Sequence, residues 1–451
     1  MPARTDDGTD FLSYLKRLPS DLLYSLYDSS ATCLAICRYL PQMAQQFIMR
    51  LLFVEKPIST QTIDTWVLPQ HRREVNEVIT NMKSLSLLVS QRGDGLALST
   101  AFRNGLKDAL FSGKPTGLKR VDVEEKHHKT IPELEQYALE RWECILRYMA
   151  LPSAESEKAV SAETRSVLQC AGFVKNGDDD RLEITSKGFQ YLLLDRRSQL
   201  WSYLLSYLQY LDSKNIDIVQ PISFLFHLSF CTLGQAYSSE KVGEAMLDFL
   251  QHLRETGLVC QRKRTAGFFF PTPLALSLAI GKSGDASMLS SGLIKSKGFV
   301  VVETNFRVYA YTDSVLQLAV ISTFTDMTYR FGNMSVGVLT RESVRRALQV
   351  GITANQIIDY LRTNAHEQML KETPIVPPTI TDQIRLWELE RDRFIFDEGV
   401  LYSNFISDEE YLAMRDYARQ IDALMWESNN SRMMVVTSTG HEQIKQWKNQ
   451  K

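Results

Sequence analysis

The stretch GFVVVETNFRVYAYT, residues 298–312, is the most strand-like run of the chain. β-Branched and aromatic residues fill both faces of an extended chain here. The polar Glu303-Thr304-Asn305 interrupts the run at its centre, which is the pattern of a hairpin. In the first strand Phe299, Val301 and Glu303 fall on one face and Val300 and Val302 on the other. In the second, Phe306 and Val308 stand against Arg307, Tyr309 and Tyr311. A strand apolar on both sides needs cover on both, so its own helices on one side and a partner on the other are expected. Most of the remaining chain reads as helix. The fold class expected is therefore mainly α with small β-wings, an α+β protein.

Upstream of this hairpin one unit recurs: helices, a strand, a polar turn, a second strand and a short closing helix. Helical periodicity over 41–53 and 70–84 precedes strands at 85–90 and 95–99 around Arg92-Gly93-Asp94-Gly95. Helices over 133–150 and 162–171 precede strands near 172–175 and 181–185, with Asn176-Gly177-Asp178-Asp179-Asp180 as the turn. Helices over 198–212, 217–230 and 239–256 precede strands near 257–261 and 267–270 around a basic turn. Helices followed by a two-stranded wing form a winged helix. Tandem winged-helix domains at 1–118, 130–196 and 197–281 are expected.

Downstream, the Gly/Ser-rich 282–297 reads as a linker. The hairpin then opens a small α/β domain, 298–370. Ser314 and Gln317 stand at capping-box spacing, Thr340 caps a helix ended by Gly351, and Thr353 with Gln356 opens the next. Three prolines in KETPIVPPTI (371–380) mark a boundary. A second small α/β domain is expected over 379–451. It has a helix (381–393), a hairpin turning at Asp397-Glu398-Gly399, a helix from Ser407 to about 425, a two-faced strand RMMVVT, and a last helix capped by Thr439 and Glu442. A unit of this size is marginal alone, so a partner is expected.

Several function classes are excluded or disfavoured. With 51 Lys+Arg against 53 Asp+Glu, net charge is −2, which gives no global footprint for nucleic acid. No apolar run is long enough to span a membrane, and the polar MPARTDDGTD has no signal-peptide core. The six scattered cysteines form no CxxC pair and indicate a reducing compartment. A phosphate-binding loop fails because Leu276 occupies the glycine position that GKS (281–283) would require. His127-His128 lacks further ligands nearby, and Asp178-Asp179-Asp180 lacks the alternation of a calcium loop. No catalytic residue, metal site or cofactor is expected, and the chain reads as a non-enzyme.

The third unit's recognition helix, SSEKVGEAMLDFLQHLRE, is acidic, so phosphates would be repelled. The basic wing Arg262, Lys263 and Arg264 is the candidate for nucleic-acid contact, and His71-Arg72-Arg73 is a second basic spot. Protein docking is the favoured use of these modules. A winged-helix DNA-binding regulator and an adaptor of another nuclear complex are the alternatives.

The blocks GFVVVETNFRVYAYT, NMSVGVLTRESVRRALQVGITANQIIDYLRTNAH, PPTITDQIRLWELERDR and LYDSSATCLAICRYLPQMAQQFIMRLLF resemble the family of the fifty-two-kilodalton core subunit of general transcription factor IIH (TFIIH), the Tfb-two family. The resemblance implies a nuclear, non-catalytic subunit of the TFIIH core. It would act in RNA polymerase II initiation and nucleotide excision repair, holding the XPB translocase, stimulating its ATPase and docking other core subunits. It implies that 298–370 docks on a similar domain of XPB, with Glu303, Arg307, Tyr309, Tyr311, Arg341 and Arg345 as interface candidates. It also implies that the C-terminal domain pairs with the smallest TFIIH subunit, the trichothiodystrophy group A protein. Phe394, Phe396, Leu401, Met434 and Val436 are the candidates there. DNA contact is expected only within the complex.

Overall fold

The structure, a computed structural model, describes residues 11–90, 95–113, 117–124, 127–177, 182–239, 244–263, 266–278, 298–391, 393 and 398–450. The turn expected at 92–95, most of that expected at 176–180, the linker expected over 282–297 and residues 394–397 fall wholly or largely outside them. The chain divides into two compact units, Met1–Trp387 and Glu388–Lys451. Both combine helices with small antiparallel sheets, so the α+β class holds.

In the first unit the expected helices form close to their expected bounds, for example Gln42–Leu51, Arg72–Ser84, Ile131–Ala150 and Ala162–Cys170. Local chemistry explains the sharp starts. Thr130 and Glu133 close a capping box around the first turn of Ile131–Ala150, and Asp195 caps Arg196–Ser213 by accepting from Ser198 N at 3.1 Å. Each helical block is followed by a hairpin: Leu88–Ser90 with Gly95–Leu98, Val174–Asn176 with Leu182–Ile184, and Val259–Cys260 with Phe268–Pro271.

Two of these hairpins recruit an extra strand. Ile58–Ser59 pairs with Gly95–Leu98, making a three-stranded sheet. Ala236–Ser238 pairs with Phe268–Pro271 and also with Arg120–Val121, which comes from far upstream. The resulting four-stranded sheet ties the segment after the first hairpin to the third helical block.

The centre of the unit is helix Arg196–Ser213. Its buried side chains include Leu200, Trp201, Tyr203, Leu204, Leu205, Tyr207, Leu208 and Leu211, which together cover most of its circumference. Burial on that scale means neighbours on every side. One side meets an aromatic seam. Phe11 lies 4.6 Å from Trp201 and 5.3 Å from Phe226, and Trp201 Nε1 donates to Tyr39 Oη at 2.7 Å. The Tyr39 hydroxyl in turn donates to the Leu278 carbonyl.

Another side carries Tyr203 and Tyr207. Tyr207 stacks on His252 at 3.9 Å, and Tyr203 Oη lies 3.1 Å from His252 Nε2. From the same third block, Glu255 accepts from Ser161 N and, at 3.0 Å, from Thr164 Oγ1, which closes the start of helix Ala162–Cys170.

Six free cysteines are present, two of them (Cys33 and Cys37) buried on one face of helix Ser30–Tyr39. Among the described residues no helix is long and apolar enough to cross a membrane.

The His252 imidazole is fully enclosed, and desolvation pushes its pKa from 6.5 down to about 3. The folded ring stays neutral where the unfolded chain takes up a proton. Stability from this site is complete above 6.5 and is lost as pH falls toward 3. Between about pH 7 and about pH 5 the wild-type protein is expected to lose about 2 kcal/mol more than His252→Phe, checked by chemical-denaturation midpoints at both pH values. Parallel losses in the two proteins would refute the assignment.

Candidate functional site

The hairpin of residues 298–312 forms, with strands Val300–Val302 and Arg307–Ala310 in antiparallel register. Phe306 turns the chain with φ +68°, and its ring packs 6.0 Å from Trp387. The sheet is larger than the sequence reading anticipated. Asp326–Arg330 and Ser335–Val338 add two strands, giving the order 300–302, 307–310, 335–338, 326–330. These strands were missed. Their signals were the alternation of Met327, Tyr329 and Phe331 and the turn dipeptide Gly332-Asn333.

The two faces now separate. Val300, Val302, Val308 and Ala310 are buried in the unit's core. On the opposite face the registers align Val301 with Tyr309, Tyr309 with Val336, and Val336 with Tyr329. This row crosses all four strands and ends on Tyr329, which is 66% exposed, with Phe331 just beyond at 55%.

The first strand's edge is covered by the chain itself. Val300 N donates to Asn364 O at 3.0 Å, and His366 N donates to Val300 O at 2.8 Å, so the chain's own 364–366 covers that edge. A Cβ at Gly298 would lie 1.8 Å from the Ala365 carbonyl, so the close approach requires glycine. The other edge, Asp326–Arg330, pairs with no further segment among the described residues. Its anchor is Asp326, which accepts from Thr340 Oγ1 at 2.5 Å and pairs with Arg346. These bonds, Thr340 first, hold its carboxyl below the usual range.

The sequence candidates fall around this sheet. Glu303 accepts from Asn305 Nδ2 at 2.9 Å and from Tyr309 Oη at 3.5 Å. Arg307, Tyr309 and Tyr311 line one side of their strand, and the Tyr311 ring lies 5.6 Å from His366. Arg341 and Arg345 are exposed on helix Arg341–Gln349. The domain is also moored within its own unit. Ser314 Oγ donates to Glu143 at 3.0 Å, and Gln190 Nε2 donates to the Gly351 carbonyl at 2.6 Å.

In the second unit, strand Met433–Thr437 is central, flanked by Gly399–Tyr402 and Leu424–Ser428. The sequence reading ran the preceding helix to about 425. It ends instead at Gln420, and Leu424 begins a strand. RMMVVT is two-faced because it is a middle strand. Met434 and Val436 are fully buried in this unit's core beside Tyr411, Met414 and Ile444, and so offer no surface. Leu401 is 56% exposed, and Trp426 on the other outer strand is 50% exposed. Phe394 and Phe396 lie outside the described residues, as does Arg264 of the basic wing, whereas Arg262 and Lys263 are exposed. Among the described residues no His, Cys, Asp and Glu cluster could hold a metal ion.

Both units, in this order, match one family. Its sequence models, described as "Transcription factor Tfb2" and "Transcription factor Tfb2 (p52) C-terminal domain", match residues 13–367 and 382–449. The chain belongs to the Tfb2 family. Among the relatives, "General transcription and DNA repair factor IIH subunit TFB2" of Kluyveromyces lactis is 35% identical, covering 96% of each chain. The TFB2 subunit of Saccharomyces cerevisiae is 35% identical over 96% of this chain and 95% of its own. That of Arabidopsis thaliana is 32% identical over 99% of both. The Tfb2 match therefore spans the hairpin sheet and the C-terminal unit alike.

Gly298→Ala is expected to lower the thermal midpoint and to speed amide exchange at Phe299 and Val300, because the added methyl displaces Asn364–His366. Unchanged exchange at those two amides would refute the close approach.

Proposed function

We propose that this chain is a non-catalytic structural and regulatory subunit of the TFIIH core, acting in the nucleus in RNA polymerase II initiation and nucleotide excision repair. Full-length similarity to subunits named for transcription and DNA repair factor IIH supports that placement. In this reading residues 298–370 anchor the XPB translocase and stimulate its ATPase. Tandem winged helices at 1–118, 130–196 and 197–281 dock other core subunits, and 379–451 pairs with the smallest subunit.

One observation carries the anchoring role: the outward row Val301, Tyr309, Val336 and Tyr329, ending on the open edge strand Asp326–Arg330. An open edge offers backbone donors and acceptors to an added strand, and the aromatic row beside it supplies apolar area. Tyr and Arg, here Tyr309, Tyr311, Tyr329 and Arg307, are favoured interface anchors. A like domain of XPB can meet such a surface pseudo-symmetrically. Stimulation of the ATPase then rests on fixing the orientation of the motor.

For the C-terminal unit, the exposed Leu401 and Trp426 on its outer strands are the contact candidates. Met434 and Val436 act there only through the core they fill.

Arg307→Glu with Tyr309→Ala, and separately Tyr329→Lys with Phe331→Glu, are expected to lower XPB retention in a pull-down by ~10-fold or more, as for buried interface anchors. Undiminished XPB retention by both pairs, at unchanged thermal midpoint, would sink the anchoring role. For the smallest subunit, Leu401→Lys with Trp426→Ala is expected to abolish the rise in melting temperature on adding that partner. A rise equal to that of wild type would count against pairing through these strands.

A further inference from the structure

We propose that the cleft between helix Ile131–Ala150 and the third helical block binds an acidic peptide segment of a partner protein. The cleft encloses about 910 Å³ and lies far in sequence from the hairpin sheet. Cavities of ~300–1,000 Å³ take ligands of drug size or short peptide segments.

Its charge is one-sided. Lys129, Arg141, Lys158, Arg254 and Arg262 line it, and among the described residues the only lining carboxylate is Glu255. Glu255 is already committed to Ser161 N and Thr164 Oγ1. Lys129 has Glu133 at 3.6 Å, but among the described residues no carboxylate pairs with Lys158, Arg254 or Arg262. Unpaired cations around a concavity focus a positive potential into it. In a chain of net charge −2 this is a local arrangement rather than a general surface property.

The chemistry selects carboxylates over bases. Three of the five cations are guanidinium groups, whose planar forks match carboxylate geometry. Single-stranded nucleic acid also needs open aromatic faces for stacking. Here the Arg141 guanidinium covers the Tyr137 ring at 5.5 Å. Phe270 is buried, with Phe268 set edge-on to it at 87°. Duplex DNA is met by a helix entering its groove, and a recess does not supply one. The partly buried Phe268 and the exposed Ala159, both lining the cleft, leave a small apolar wall for one hydrophobic side chain. The ligand class is thus an Asp/Glu-rich segment with a single apolar anchor.

The test uses the full chain and a fluorescein-labelled Asp/Glu-rich peptide containing one phenylalanine, read by anisotropy. Oligothymidine of equal net charge serves as competitor. Lys158→Glu with Arg262→Glu, both exposed, is expected to weaken binding by ~10-fold or more, and the milder Lys158→Gln with Arg262→Gln by less. Arg72→Glu with Arg73→Glu, in the other basic spot, is expected to leave it within about 2-fold. Thermal midpoints matching wild type keep folding out of the comparison, and the glutamine pair carries it if the glutamate pair melts early. Equal peptide affinity in wild type and both cleft variants would overturn the proposal. Tighter binding of oligothymidine than of the peptide would overturn it in favour of nucleic acid. Loss of XPB retention is a separate readout, so failure of one assignment leaves the other standing.

Discussion

Burial of helix Arg196–Ser213 on nearly all sides is the constraint on which the first unit depends. A helix with Trp201, Tyr203, Tyr207 and five leucines has no solvent face wide enough to stand alone. Each neighbouring block must supply part of its cover. Phe11 and Tyr39 come from the N-terminal helices, Phe226 and His252 from the third block, and Tyr191 and Leu192 from the end of the second. Aromatic rings bury large areas and pack with defined geometry, so this seam fixes orientation as well as proximity. Its polar atoms are placed to match: Tyr39 Oη serves Trp201 Nε1 and the Leu278 carbonyl at once.

Further ties reinforce that arrangement. The Arg120–Val121 strand completes a sheet formed by residues more than a hundred positions later, and Glu255 caps a helix of another block. His227 lies 3.3 Å from Ser29 Oγ and accepts from Gly117 N at 3.2 Å, which links three distant segments. Blocks that resemble separable modules in sequence thereby share one continuous core. Such a body suits a scaffold, since a surface presented by one block is held in fixed relation to the others.

The four-stranded sheet built on residues 298–312 uses that rigidity. Ser314 and Gln190 moor it to the second block, so its outward row and open edge face away from a fixed base. Closing one edge with residues 364–366 and leaving the other open gives the sheet a single direction for strand addition. The cleft beside the hairpin Val259–Cys260 with Phe268–Pro271 offers a different chemistry, charge rather than edge pairing.

The sequence by itself determined many of the helices, several of their caps and the hairpins that come after them. These follow from periodicity and from short-range hydrogen bonds such as Thr130 with Glu133 and Thr353 with Gln356. Thr439, expected as the last cap, lies inside helix Ser438–Gln450, where Thr437 accepts from Gly440 N at 3.1 Å instead. It also marked residues 298–312 as a two-sided hairpin and carried the family resemblance. The strands Asp326–Arg330 and Leu424–Ser428 escaped because their stability comes from pairing with Ser335–Val338 and Met433–Thr437, to which a short local alternation such as Met327 and Tyr329 is only a weak pointer. Tertiary structure alone decided that Val300 and Val302 face home, that Met434 and Val436 are core, and that the open edge is 326–330 rather than 300–302. The same holds for the cleft, whose cations span residues 129 to 262. Which face of a strand is buried, and which charges meet, depends on contacts between residues remote in sequence, and those exist only once the chain has packed.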